Sequence, residues 1–148
     1  MSQIKKLFII TLTIVSAFIA SIASATSPVG YWKTVDETGR PKSIIRIYQG
    51  RDKALIGQIV KTFNKGQPRA GTIIISGLTP DQEQWDNGKI LDVNNGRTYS
   101  CHLRLADNGK KLDVIGYIGF PLLGKSQTWE RVDLLSDTDK FNRLPTRS

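Results

Sequence analysis

Between Trp85 and Val132 the chain alternates between apolar and polar positions, and turn-forming residues interrupt the pattern at short intervals. Arg97–Ala106 is the clearest segment. Tyr99, Cys101, Leu103 and Leu105 fall on one face, and Thr98, Ser100, His102 and Arg104 on the other. Period-two alternation marks a strand with one buried face. Lys110–Ile118 continues it, with Leu112, Val114, Gly116 and Ile118 opposite Asp113, Ile115 and Tyr117. Trp85–Asp92 and Ser126–Val132 complete the central group. Asn94-Asn95-Gly96 and Asp107-Asn108-Gly109 separate strands with residues that tolerate positive φ, as a tight hairpin requires. Gly116 and Gly119 predict a bulge or bend near the end of their strand.

Earlier in the chain, Pro28–Val35, Ser43–Gln49, Ala54–Lys61 and Thr72–Leu78 read as four more strands. Gly39-Arg40-Pro41, Gly50-Arg51-Asp52 and the polar segment Asn64–Gly71 supply the breaks. Thr79-Pro80-Asp81-Gln82-Glu83 predicts a short helical turn, with Thr79 as N-cap and Pro80 in the first position. About eight antiparallel strands with no long helical period predict an all-β sandwich or an up-and-down barrel.

The first residues follow a different rule. Lys5 and Lys6 precede an apolar run from Leu7 to Ala20, and Ala23-Ser24-Ala25 is a small-residue cleavage pattern. Residues 1–25 therefore read as a secretory signal cleaved after Ala25, which predicts a periplasmic or secreted bacterial protein. The apolar run is short for a bilayer span, so no transmembrane segment is expected after its removal. Residues 26–133 form one domain's worth of chain, and 134–148 lose the alternation and read as a polar tail.

Charge then narrows the partners. Removing Lys5 and Lys6 from 21 basic residues leaves 19 against 13 acidic ones, a balance of about +6. The positive residues are scattered, without the basic stripe and interleaved aromatics of a nucleic-acid interface. A mildly basic surface suits an anionic envelope polymer or protein. The single cysteine, Cys101, shares the buried face with Leu103, while the single histidine, His102, lies on the opposite face, which argues against a Cys–His dyad. There is no metal-ligand cluster and no G-x-S-x-G elbow, so neither a cofactor nor an enzyme class is called for.

Several segments together resemble the bacterial domain-of-unknown-function 2147 family. They are Val29–Thr34, Pro41–Tyr48, Gly57–Lys61, Trp85–Asp92, Asn95–Tyr99, Gly116–Gly119 and Leu122–Val132. The resemblance implies a small exported bacterial protein and carries no established activity. Many members have a cysteine pair after the third strand; Asn64–Gly71 holds none, so no disulfide or metal reading transfers. Gly30-Tyr31-Trp32 also looks like the G-x-W motif on the first strand of lipocalins. That likeness implies a lipocalin-like barrel with Trp32 plugging one end and Arg131 stacked over its indole.

In such a barrel, residues that are neither plainly core nor plainly solvent become pocket candidates. Arg46, Tyr48, Gln58, Tyr99, Tyr117 and Trp129 qualify as contacts for a small, mainly apolar ligand. Asp92 reads as a turn-stabilising residue beside the Asn-Gly turn. The loop Gly119–Gly124, with Phe120, Leu122 and Leu123, reads as a lid or contact loop. Three functions follow, in order of preference: an exported lipocalin-like binder of a small, mainly apolar ligand, an envelope accessory protein without a pocket, and an enzyme of unknown class.

Overall fold

A computed structural model describes residues 26–66, 68–119 and 124–134. Eight strands form one closed antiparallel barrel in chain order: β1 (Gly30–Val35), β2 (Pro41–Gln49), β3 (Leu55–Thr62), β4 (Ile73–Asp81), β5 (Gln84–Asp92), β6 (Arg97–Ala106), β7 (Lys111–Tyr117) and β8 (Lys125–Val132). Each strand pairs with its neighbour, and β8 returns to β1 through Tyr31↔Val132, Trp32↔Arg131 and Lys33↔Glu130. Closure leaves no edge strand with unpaired backbone groups. The expected signal, residues 1–25, and all of the tail after Leu134 lie outside the described residues.

Inward-facing residues pack into a core that closes one end of the barrel. Trp32, Ile47, Leu55, Leu78, Leu103 and Leu112 are buried in one core with Cys101. Gly88 lets β5 come close to it: a Cβ there would stand 2.5 Å from Leu78 Cδ2 and 2.9 Å from Cys101 Sγ. A second, smaller cluster sits on the outer face, where Ile44, Phe63 and Val132 are covered by Tyr31 and Leu134. The first residue of the expected tail is thus packed on the barrel.

Three local expectations need correction. Thr79–Asp81 is not a helical turn but the end of β4, paired with β5 through Thr79↔Asp86, Pro80↔Trp85 and Asp81↔Gln84. The reversal falls at Gln82-Glu83, with Gln82 at φ 54°. Thr79 accepts a hydrogen bond from Asn87 Nδ2 (3.1 Å) instead of capping a helix. At Gly116 the ladders to β6 and β8 are regular and the bulges lie elsewhere, including Thr34/Val35, Ile44/Ile45 and Trp85/Gly88, whereas the expected bend does occur at Ile118-Gly119, with Gly119 at φ 78°. In the Asn94–Gly96 turn only Gly96 adopts positive φ. Asp92 organises that turn, its two carboxylate oxygens accepting from Asn94 N–H (2.8 Å) and Asn95 Nδ2 (3.0 Å).

The strand directions sort the loops into two sets. Gly50–Ala54, Gln82-Glu83 and Asp107–Lys110 lie at one end of the barrel. The connections after β1, β3, β5 and β7 lie at the other.

Candidate functional site: a one-ended cavity

The first end is sealed. Trp32 is 0% exposed, and its Nε1 donates to the Pro28 carbonyl at 2.8 Å. The Arg131 guanidinium lies 4.3 Å from the Trp32 ring centroid, a cation–π stack. The same guanidinium donates to three carbonyls: Nε to Gly109 (2.7 Å), Nη1 to Val29 (2.9 Å) and Nη2 to Ser27 (2.7 Å). Gly30 is required for this approach. Its φ is 142°, and a Cβ there would meet Arg131 Nη1 at 2.6 Å. Glycine, tryptophan and arginine therefore act together: the glycine clears space, the arginine ties three chain segments, and the indole closes the core beneath.

The other end is open and holds a cavity of about 500 Å3. Its deep wall is apolar, built from Ile45, Ile59, Ile74, Ile90, Val114 and Trp129. The first five come from five different strands; Ile45, Ile59, Ile90 and Val114 follow by alternation from a buried neighbour on the same face, and Ile74 sits beside the buried Ile75 where the β3–β4 register shifts. At depth the polar groups are few and engaged. Thr34 and Ser43 are buried and share a hydroxyl–hydroxyl hydrogen bond of 2.7 Å. Trp129 Nε1 donates to Gln127 Oε1 at 3.2 Å. Nearer the mouth, Asn95 Nδ2 donates to Tyr99 Oη at 3.0 Å, and Lys42 and Lys125 join the rim. A largely apolar cavity with a few orienting polar groups is the usual form of a small-molecule site.

The residues expected to form a pocket divide. Tyr99 and Trp129 line the cavity. Arg46, Tyr48 and Gln58 do not, which corrects their grouping with those two. They alternate with the buried Ile45, Ile47, Gly57 and Ile59 and so lie on the outer face. There Arg46 stacks over Tyr48 (5.1 Å to the ring centroid) and Gln58 Nε2 donates to the Gly71 carbonyl (3.0 Å). Tyr117 stands at the rim, but its ring meets His102 (5.8 Å between centroids) and its hydroxyl reaches Asp86 Oδ1 (3.5 Å), on the outside. Burial, and then the Asp86 carboxylate, hold the Tyr117 phenol above its ordinary pKa. Phe120, Leu122 and Leu123 lie outside the described residues; the strands they join, β7 and β8, both contribute residues to the mouth.

Sequence reasoning missed Thr34, Ser43, Lys42, Lys125 and Gln127 as part of the cavity wall. A signal was present for three of them. Thr34 shares a face with Trp32, Ser43 with Ile45 and Ile47, and Gln127 with Trp129. A polar residue in phase with core residues, near the end of a strand, is a candidate cavity residue.

Comparison with known proteins agrees with this geometry. The family described as "Uncharacterized protein conserved in bacteria (DUF2147)" matches residues 30–131, which span the barrel almost from end to end. The chain belongs to the DUF2147 family. Among solved structures, this DUF2147 barrel is similar to protein HP1028 from the human pathogen Helicobacter pylori, which is described as belonging to the lipocalin family. The two share 16% sequence identity with a TM-score of 0.61, over 78% of this chain and 89% of that one. At that identity the likeness is one of fold, and it makes the DUF2147 barrel lipocalin-like. No curated protein matches the sequence significantly.

Proposed function

We propose that this DUF2147 protein is an exported carrier or sensor that holds a small, mainly apolar ligand in the open half of its barrel. The supporting observation is the cavity itself: about 500 Å3, apolar at depth, beside an end sealed by Trp32 and Arg131. That volume falls within the usual range for small-molecule sites, roughly 300–1,000 Å3. Its fold neighbour's description as a lipocalin-family protein points the same way by analogy. The charged n-region, apolar run and Ala23-Ser24-Ala25 motif support export. An accessory protein lacking a pocket is the weaker reading, because a pocket is present.

The test is native mass spectrometry of the protein recovered gently from the envelope fraction, beside a Gly116→Leu variant. Gly116 lines the cavity, and a Cβ there would stand 3.4 Å from Ile90 Cγ2, so a leucine projects into the space. The wild type should carry a mass excess that disappears on denaturation. The variant should lose it while melting within a few degrees of wild type. Clean apo masses for wild type, together with no response to added apolar probes, would overturn the reading.

A further inference from the structure

The mouth of the cavity is unbalanced in its hydrogen-bonding chemistry. Apart from Thr62 and Asn94, its side-chain acceptors are engaged, while several donors are left over. Tyr99 Oη accepts from Asn95 Nδ2, and the Tyr99 O–H has no acceptor among the described residues. The Asn95 orientation is fixed, because its Oδ1 takes the Arg97 backbone N–H at 2.8 Å. Gln127 presents Oε1 to Trp129 Nε1, which can only donate; the Gln127 amide NH2 is therefore free. Asp92 also lines the cavity, but both its oxygens are bound within its own turn. Thr62 and Asn94 serve equally as donors or acceptors.

Charge repeats the imbalance. Lys42 and Lys125 both line the cavity, and neither has a carboxylate within ion-pair distance among the described residues. The nearest acidic hairpin adjoins the mouth, where Asp36 and Glu37 line a neighbouring recess with Lys42, Asn94 and Gln127, but neither forms an ion pair with Lys42. Asp36 is held by Thr38, by the Arg40 backbone N–H and by the Arg40 guanidinium (2.9 Å), and Glu37 is exposed.

We propose that the ligand is a single-tail amphiphile with an anionic head, a carboxylate or phosphate, bound at the mouth by Lys42, Lys125, Tyr99 and Gln127. An anionic head is rich in acceptors and matches this set of free donors, with charge-assisted bonds from the lysines. The tail occupies the apolar depth beside Trp129. This inference rests on the cavity binding a ligand at all, so the experiment separates the two.

Purified protein is titrated, below micelle-forming concentrations, with dodecanoate, dodecyl phosphate, dodecanol and dodecyltrimethylammonium, and binding is read by calorimetry. The same series is run on Lys42→Met/Lys125→Met. At least one anion should bind tenfold or more tightly than the alcohol, and weaken as salt rises. The double variant should lose about tenfold in anion affinity with the alcohol unchanged. Preference for dodecanoate or for dodecyl phosphate then identifies the head. Equal binding of anion and alcohol, or tighter binding of the cation, would overturn the anionic head and leave the cavity reading standing. Binding of none would overturn both.

Discussion

At the scale of single residues, Cys101 shows what burial does to a reactive group. It is 0% exposed, between Leu78 and Leu103 in the core, with Gly88 opposite it on β5. Burial pushes its thiol from 9.0 up to about 12, and the Asp86 charge adds to the same direction. The neutral thiol is thus favoured by the fold. The stability this confers is fully present below pH 9 and is lost as pH rises from there towards 12. We expect Cys101 to resist a thiol-specific reagent at pH 8 in native protein and to react at once in denaturant. Rapid labelling without unfolding would contradict its placement. The inert thiol was readable from alternation alone, since Cys101 keeps phase with Tyr99, Leu103 and Leu105. The placement of Arg46, Tyr48 and Gln58 was not. Alternation says which residues share a face, but the outer face of this barrel carries its own aromatics and ion–ring contacts, so a tyrosine or arginine fits either side.

At the scale of elements, the seam between β8 and β1 has the most to hold. It is among the least extensively paired junctions, with three aligned residue pairs against six between β7 and β8. Side chains compensate. Lys33 and Glu130 pair across its outer face at 2.6 Å, and Arg131 binds Ser27, Val29 and Gly109 from within. The exposed ion pair adds little, while the arginine ties together the chain before β1, the seam and the turn before β7. We therefore expect Arg131→Met to destabilise the protein by about 1–3 kcal/mol. Gly30→Ala should do similar damage through the left-handed backbone and the blocked guanidinium. Combined, the two should cost less than their sum, because both remove the same contact; full additivity in denaturant melts would sink this account. Strand positions were legible in the sequence to within two residues at most ends, and β6 matched at both. The end of β4 was not, because Thr-Pro followed by acidic residues is also a helix start, and only pairing with Trp85 and Asp86 decides between them.

At the scale of the whole molecule, the barrel is divided across its length. One end is packed core, closed by the Trp32–Arg131 seal; the other holds the cavity, whose deep wall is the top of that core and whose rim carries Lys42 and Lys125. The up-and-down order was legible, because eight strands joined by short turns leave few other paths for the chain. The cavity was not. Whether a small barrel is filled or hollow depends on the summed volume of inward side chains, and here small residues such as Thr34, Ser43 and Gly116 keep one half from closing.

The sealed end bears on timing. A ligand of the proposed kind must depart along the path by which it arrived, and a newcomer cannot push it out from behind. Replacement in a preloaded barrel should then follow a single first-order rate that stays constant as the competitor is raised a hundredfold. A tube open at both ends would turn over faster with each increment. Stopped-flow exchange distinguishes them, with Trp129 fluorescence as the signal. Under the proposed function, release is then governed at the open mouth.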